Sequence, residues 1–342
     1  MRPLAGPFRP PPAGRLFMKA TRDDGFGAEL LFVVEGLPSS AGIGLSGSLR
    51  GPDCSRATTL PVTMPLAAVA SPLGVAARAV LTEPAPWTPE LPNRYRLEAR
   101  LEGGDESWRQ PFGGMIALRR LGRRGRSFRL DGRRFVLRGG PAVAIAEAVA
   151  SLALARERRH AVVIDADDPS FAVHARSDGP EQGGGGPLEE LLDAADREGV
   201  FVVVNFCAGR SESVAIRTAL HPSAAFVIAR DREAADTFAP LRTPSGPLLG
   251  LTVDGGSAPP SDTGLADFLV VRLLPGRLPD NAWLASPPPL PLVACRADGG
   301  GSKTCDALQA TLARWAVDGA GPVLSWDWSG YLLERKERGK IR

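Results

Sequence analysis

Ser127-Phe128-Arg129-Leu130-Asp131-Gly132-Arg133-Arg134-Phe135-Val136-Leu137-Arg138-Gly139 separates two textures of sequence, and the fold follows from what lies on either side of it. Within the stretch, two alternating runs flank Asp131-Gly132. A type I′ turn needs positive φ at both central positions, which Asp-Gly tolerates, so the stretch predicts a β-hairpin. Before it come short alternating runs at residues 16–20, 28–35, 43–49, 58–62, 75–81 and 95–101, separated by Gly, Pro, Ser and Asp. Such spacing predicts an antiparallel β-sandwich of about a hundred residues. Pro61, Pro65 and Pro72 argue against long helices there, because proline removes a donor and clashes inside a helix.

After Gly139-Gly140 the pattern changes. Residues 142–158 form an Ala-rich helix candidate, and residues 188–198 form another, ended by Gly199 at C′. Continuous apolar runs fall at 161–164, 200–206, 224–228, 248–253, 268–271, 290–294 and 323–326. Unbroken apolar strands alternating with helices mark a parallel sheet covered on both faces. With residues 135–137 they make eight strands, which predicts a (β/α)8 barrel. The helices between its fifth, sixth and seventh strands read as short or missing, so the barrel is expected to be eroded there.

Composition sets the outer bounds. A chain of 342 residues suggests two domains, and 44% hydrophobic with 23% charged residues is enough for a real core. No apolar run approaches the ~20 residues a membrane helix needs. The formal net charge of +3 is too small to imply a nucleic-acid or membrane partner by itself. Cys54, Cys207, Cys295 and Cys305 form no CxxC pair, which argues against zinc or a disulfide framework and for a reducing compartment. The Pro-rich start lacks the apolar segment of a secretion signal, so a cytoplasmic protein is expected.

The junction carries a resemblance. Trp87-Thr88-Pro89-Glu90-Leu91-Pro92-Asn93-Arg94-Tyr95-Arg96-Leu97, then Phe112-Gly113-Gly114, then the hairpin, resemble in this order the domain junction of glycoside hydrolase family 2, the family of β-galactosidases, β-glucuronidases and β-mannosidases. In that family an immunoglobulin-like sandwich ends in such a tryptophan-proline-tyrosine strand and an FGfR segment, and a TIM barrel opens with an NG hairpin. Here Asp131 stands for the asparagine and Gly114 interrupts FGfR. Residues 191–199 are similar to the family's helix before strand three, and His221-Pro222-Ser223 to the segment that builds strand four. The resemblance spans about residues 25–330 and leaves no counterpart of the family's N-terminal jelly roll, so the member is divergent and shortened. It implies a flexible segment at 1–14, an immunoglobulin-like sandwich at 15–118, a TIM-barrel domain at 119–335 and a basic tail at 336–342.

The resemblance also implies where chemistry should sit. Counting from His221, the general acid/base falls at Arg232, directly after Asp231; the nucleophile at the end of strand seven falls at Arg296. Retaining hydrolysis needs one carboxylate to attack and one carboxylic acid to protonate the leaving oxygen. A guanidinium stays protonated and can do neither. A protein of carbohydrate metabolism with impaired catalysis is therefore expected, a carbohydrate-binding or scaffolding pseudoenzyme without cofactor or metal. The alternative is an active O-glycoside hydrolase using shifted carboxylates, Asp231 and Asp298.

Strand ends supply the candidate ligand site. Asp165, Asn205, Asp254 and Arg272 are the polar candidates, with Trp326 as a stacking platform and Asp167 and Asp327 at the same ends. The same residue types also cap helices after strands in most α/β proteins. Arg232 and Arg296, converging from strands four and seven, predict an anionic ligand such as a uronate or sulfated sugar. Asp165-Ala166-Asp167-Asp168 reads as a solvated loop, and His160, His174 and His221 lack metal spacing, His221 being structural. A second alternative, nucleic-acid binding, would use the nine arginines between Arg119 and Arg138, which face a single acid, Asp131. Few aromatics interleave them, so a solvated hairpin face and no nucleic-acid partner are expected.

Overall fold

The computed structural model describes residue 11 and residues 14–37, 42–103, 109, 111–168, 186–243, 245–298, 304–320 and 326–335. Strands β1 (Arg15–Asp23), β2 (Ala28–Glu35), β6 (Val75–Leu81) and β5 (Ala67–Val69) form one antiparallel sheet in that order. A second has the order β4 (Val62–Pro65), β3 (Gly44–Asp53), β7 (Arg94–Glu102), β8 (Phe112–Ile116). Alternation explains both. In β7 Tyr95, Leu97, Ala99 and Leu101 turn inward to meet Leu30 and Phe32 of β2 in one core, while the residues between them stay wetter. The strand expected at 58–62 lies further on, at β4 and β5. Pro61 stands outside it, and Pro65 is tolerated because β4 is an edge strand.

β9 (Leu121–Arg124), β10 (Ser127–Leu130) and β11 (Arg133–Phe135) form a three-stranded sheet. The turn between β10 and β11 has φ of 48° at Asp131 and 76° at Gly132, the positive pair that its Asp-Gly sequence predicts.

Eight parallel strands follow: β12 (Leu137–Gly139), β13 (Val162–Asp165), β14 (Val202–Phe206), β15 (Phe226–Ala229), β16 (Leu248–Asp254), β17 (Phe268–Leu273), β18 (Leu292–Asp298) and β19 (Gly330–Arg335). From β13 to β19 each pairs with the next, and β19 returns beside β12. The ring closes at Gly139 and Ala161, where Ala161 N donates to Arg138 O at 2.6 Å. This is the strand order of a (β/α)8 barrel. Gly250 is required by close approach, since a Cβ there would lie 2.4 Å from the Phe268 ring.

Helices α1 (Ile145–Glu157), α2 (Pro187–Glu198), α3 (Ser211–Thr218), α4 (Arg232–Phe238), α5 (Ala282–Ala285) and α6 (Cys305–Ala320) cover the barrel. α2 starts with proline in its first turn and stops at Gly199, whose φ is 66°, as its sequence indicates. No helix joins β16 to β17 among the described residues, and α5 is a single turn. Among the described residues no helix is long and apolar enough to cross a membrane.

The eighth strand corrects the sequence reading. It is β19, which begins at Gly330, past Trp326, the described residue of the expected run, which lies outside any strand. Residues 323–325 lie outside the described residues, as do 1–10, His174 and the basic tail. Trp326 and Trp328 precede β19 and pack with Trp315 in the layer between sheet and helices.

The two antiparallel sheets rest against the N-terminal end of the barrel. Trp87 is fully buried there, and its Nε1 donates to Asp196 O at 2.8 Å. Arg119 donates to Pro222 O at 2.6 Å and Gly246 O at 2.8 Å, and burial lowers its pKa to about 10.

Candidate functional site

Strand parity decides what enters the barrel. Val163, Val203, Phe226, Ile228, Phe268, Val270, Val293, Cys295 and Leu332 form the inner cluster, whereas Ile164, Val204, Val227, Leu269, Val271, Ala294 and Tyr331 face the helices. Extending the period of two to the C-terminal strand ends puts Asp165, Asn205, Asp254, Arg272, Cys295 and Glu334 on the inner face. Arg230, the residue after β15, joins them through its contacts.

Two ion-paired groups stand at this mouth. Arg230 Nη2 reaches Asp165 Oδ1 at 2.9 Å, and its Nη1 donates to Asp167 Oδ2 at 2.6 Å. Asn205 Nδ2 donates to Asp165 Oδ1 at 3.0 Å, and the Cys207 thiol donates to Asp167 Oδ1 at 3.1 Å. Burial works against the Arg230 charge, but Asp165 and Asp167 outweigh it and raise its pKa. The hydrogen bond to Asp167 raises the Cys207 thiol, which stays a protonated donor. Across the mouth, Arg272 Nε donates to Glu334 Oε2 at 2.9 Å. Cys295, on the inner face midway along strand seven, is held well above the usual thiol range by burial and then by Glu334. A neutral buried thiol is no nucleophile.

The two expected catalytic positions do not meet. Arg232 is the first residue of α4, and its guanidinium pairs with Asp262 and with Asp236. Asp231 is the N-cap of α4, accepting from Ala234 N at 2.8 Å. Arg296 has the outward parity of Ala294. It is 6% exposed and donates to Arg277 O at 3.1 Å, and its Nε finds no partner among the described residues. Convergence of Arg232 and Arg296 is thus corrected: one caps a surface ion pair and the other lies behind the barrel wall. Asp298 ends β18 in register with Arg335.

Trp326 and Asp327 are also corrected. With β19 beginning at Gly330, they lie at the N-terminal end, where Arg134 donates to Asp327 Oδ2 at 2.7 Å. Asp254 ends β16 at the mouth, where its carboxylate accepts from Gly256 N at 3.1 Å and Ser257 Oγ at 3.0 Å. Arg230, Glu334 and Cys295 escaped the sequence reading. Arg230 directly follows the strand-four run and could have been found by counting; Glu334 was hidden by the misplaced eighth strand.

The arginine hairpin binds its own chain at several points. Arg120 pairs with Asp23 and Asp131, Arg126 donates to Pro288 O at 2.9 Å, and Arg138 donates to Asp306 and Gln309. Asp193, Asp196 and His221 bring potential ligand atoms within 4.8 Å at the opposite end from the mouth. Both Asp196 oxygens are already occupied, by Ser223 N at 2.9 Å and His221 Nδ1 at 2.8 Å. Burial opposes the His221 imidazolium, but Asp196 and Asp193 outweigh it and raise its pKa.

No family model matches the chain, and no curated protein matches it. Solved structures do. The chain is similar to a β-glucuronidase from Ruminococcus gnavus in complex with D-glucaro 1,5-lactone, at 12% identity and TM-score 0.63, covering 96% of this chain and 62% of that one. A β-D-glucuronidase from Dictyoglomus thermophilum matches at 12% identity and TM-score 0.59, covering 94% of this chain and 61% of that one. A glycosyl hydrolase family 2 member from Bacteroides cellulosilyticus matches at 15% identity and TM-score 0.56, covering 94% of this chain and 45% of that one. The chain spans between 45% and 62% of the length of these structures and shares their fold.

Proposed function

We propose that the chain is a divergent, shortened relative of glycoside hydrolase family 2 that serves carbohydrate metabolism without hydrolysis, as a carbohydrate-binding or scaffolding pseudoenzyme. Its parts are an immunoglobulin-like sandwich over residues 15–118 and a TIM barrel over 119–335, with the mouth residues Asp165, Asn205, Asp254 and Arg272 meeting the sugar. One observation carries the reading. At the end of strand four Asp231 is committed to the N-cap of α4, and in strand seven the inward side chain beside the expected position Arg296 is the neutral thiol of Cys295. Retaining hydrolysis asks for two carboxyl groups about 5–5.5 Å apart at those ends. The likeness to glucuronidases supports the ancestry of the site.

Purified protein is expected to release no nitrophenol from aryl β-glucuronides, β-galactosides or β-mannosides, since each missing carboxylate ordinarily supplies orders of magnitude of rate. Turnover that disappears in Asp231→Asn or Asp298→Asn would overturn the reading and restore an active hydrolase.

A further inference from the structure

We infer that the outer face of α1 is a contact between two copies of this chain, packed antiparallel across a two-fold axis. Helix α1 buries Ile145, Ala148, Leu152 and Ala155 in the layer between sheet and helices, yet its other side is apolar as well. Val149 is 42% exposed and Leu154 47%, and Ala146, Ala150 and Ala153 stand exposed beside them. A helix that covers a core on one side and meets water on the other ordinarily carries polar residues outward, whereas a helix apolar all round is one that is covered all round.

Charge decides what covers it. At ~3.6 residues per turn, Ala146, Ala150, Ala153 and Glu157 run down the middle of the exposed side, with Glu147, Leu154 and Arg158 together on one flank. Glu147, Glu157 and Arg158 are exposed and make no ion pair among the described residues. A two-fold axis lying across the helix in the plane of contact reverses its direction and keeps each flank beside its own copy. It sets Glu147 beside the partner's Arg158, and Arg158 beside the partner's Glu147. Leu154 then meets its own copy, and Ala150 and Ala153 let the two helix axes approach to about 8 Å. Glu157 falls near the N-terminus of the partner's α1, where the helix dipole favours a negative charge and the N-cap, Ala144, supplies no side-chain bond. The face is its own complement in both shape and charge.

Sedimentation equilibrium of the full chain, loaded at about 1 to 200 µM in low salt, tests the inference. Expected is a monomer–dimer equilibrium with a dissociation constant of roughly 10–100 µM, since a contact built on one helix falls short of the roughly 1,200 Å² that stable interfaces bury. Ala153→Glu, at the middle of the face, should weaken dimerisation at least about tenfold with the circular dichroism spectrum unchanged. Glu147→Arg or Arg158→Glu alone brings like charges together twice in each dimer and should weaken it about tenfold, whereas the two substitutions combined restore opposite charges and should recover the parent affinity. A chain that stays monomeric at about 200 µM overturns the inference and leaves the face to a different partner. A dimer indifferent to Ala153→Glu, or one weakened as much by the combined charge swap as by either single reversal, overturns it equally.

Discussion

At the N-terminal end of the barrel Phe128, Phe135, Phe201, Phe226 and Phe268 meet with centroid separations of 5.1 to 6.1 Å, whereas towards the other end the barrel strands carry Asp165, Asn205, Arg272 and Glu334, with Arg230 just after β15. Hairpin residues Phe128 and Phe135 plug the first end from outside the sheet, and edge-to-face packing adds about 0.5–1.5 kcal/mol per pair to area burial. Polar contacts there go to atoms of the fold itself, as when Arg119 donates to main-chain carbonyls. At the mouth Arg230 pairs with Asp165 and Asp167 and Arg272 with Glu334, yet these pairs remain partly exposed, where screening leaves each worth about 0–1 kcal/mol. One end holds the molecule together. The other can change its residues at little cost to the fold.

The largest expected effect tests the plugged end. Phe226→Ala removes the ring that touches Phe128, Phe135, Phe201 and Phe268, and should cost about 3–5 kcal/mol in urea unfolding. A loss below about 1 kcal/mol would show that the hairpin does not seal the barrel.

An intermediate effect is expected at the seam below strand four. His221→Gln breaks the bond to Asp196 and should cost about 1–3 kcal/mol. The imidazolium has a folded pKa raised above its unfolded value, so its contribution is complete below about pH 6.5 and is lost as pH rises through the folded value. Unfolding measured from about pH 6 to 9 should show this decline in the parent and not in the variant. Parallel curves would remove His221 from the account.

The smallest effect belongs to the mouth. Arg230→Gln leaves Asp165 and Asp167 half in water and should change stability by less than about 1 kcal/mol in the same denaturation assay. A loss comparable to that of Phe226→Ala would erase the distinction between the two ends.

Much of this was legible in the chain. The runs at 28–35 and 75–81 coincide with β2 and β6, because alternation, glycine and proline are local signals. The Asp-Gly turn and the Gly199 stop of α2 were equally direct, since both depend on the φ one or two residues can adopt. The eighth strand was not legible. By sequence residues 323–326 are more apolar than Gly330–Arg335, and Trp326 is buried between sheet and helices, where burial draws the same side chains as burial within a strand.

Sequence by itself determined that the chain would build antiparallel strands, a positive-φ hairpin and a parallel eight-stranded barrel, because periodicity and turn chemistry act over a few residues. It also determined that no glutamate stands at Arg232 or Arg296. Only the tertiary structure decided that Cys295 rather than Arg296 faces the barrel interior, that Asp231 is spent on a helix cap, and that Arg230 joins two aspartates from another strand loop. A shift of one residue along a strand exchanges its two faces, and that register is set by neighbouring strands far away in the chain.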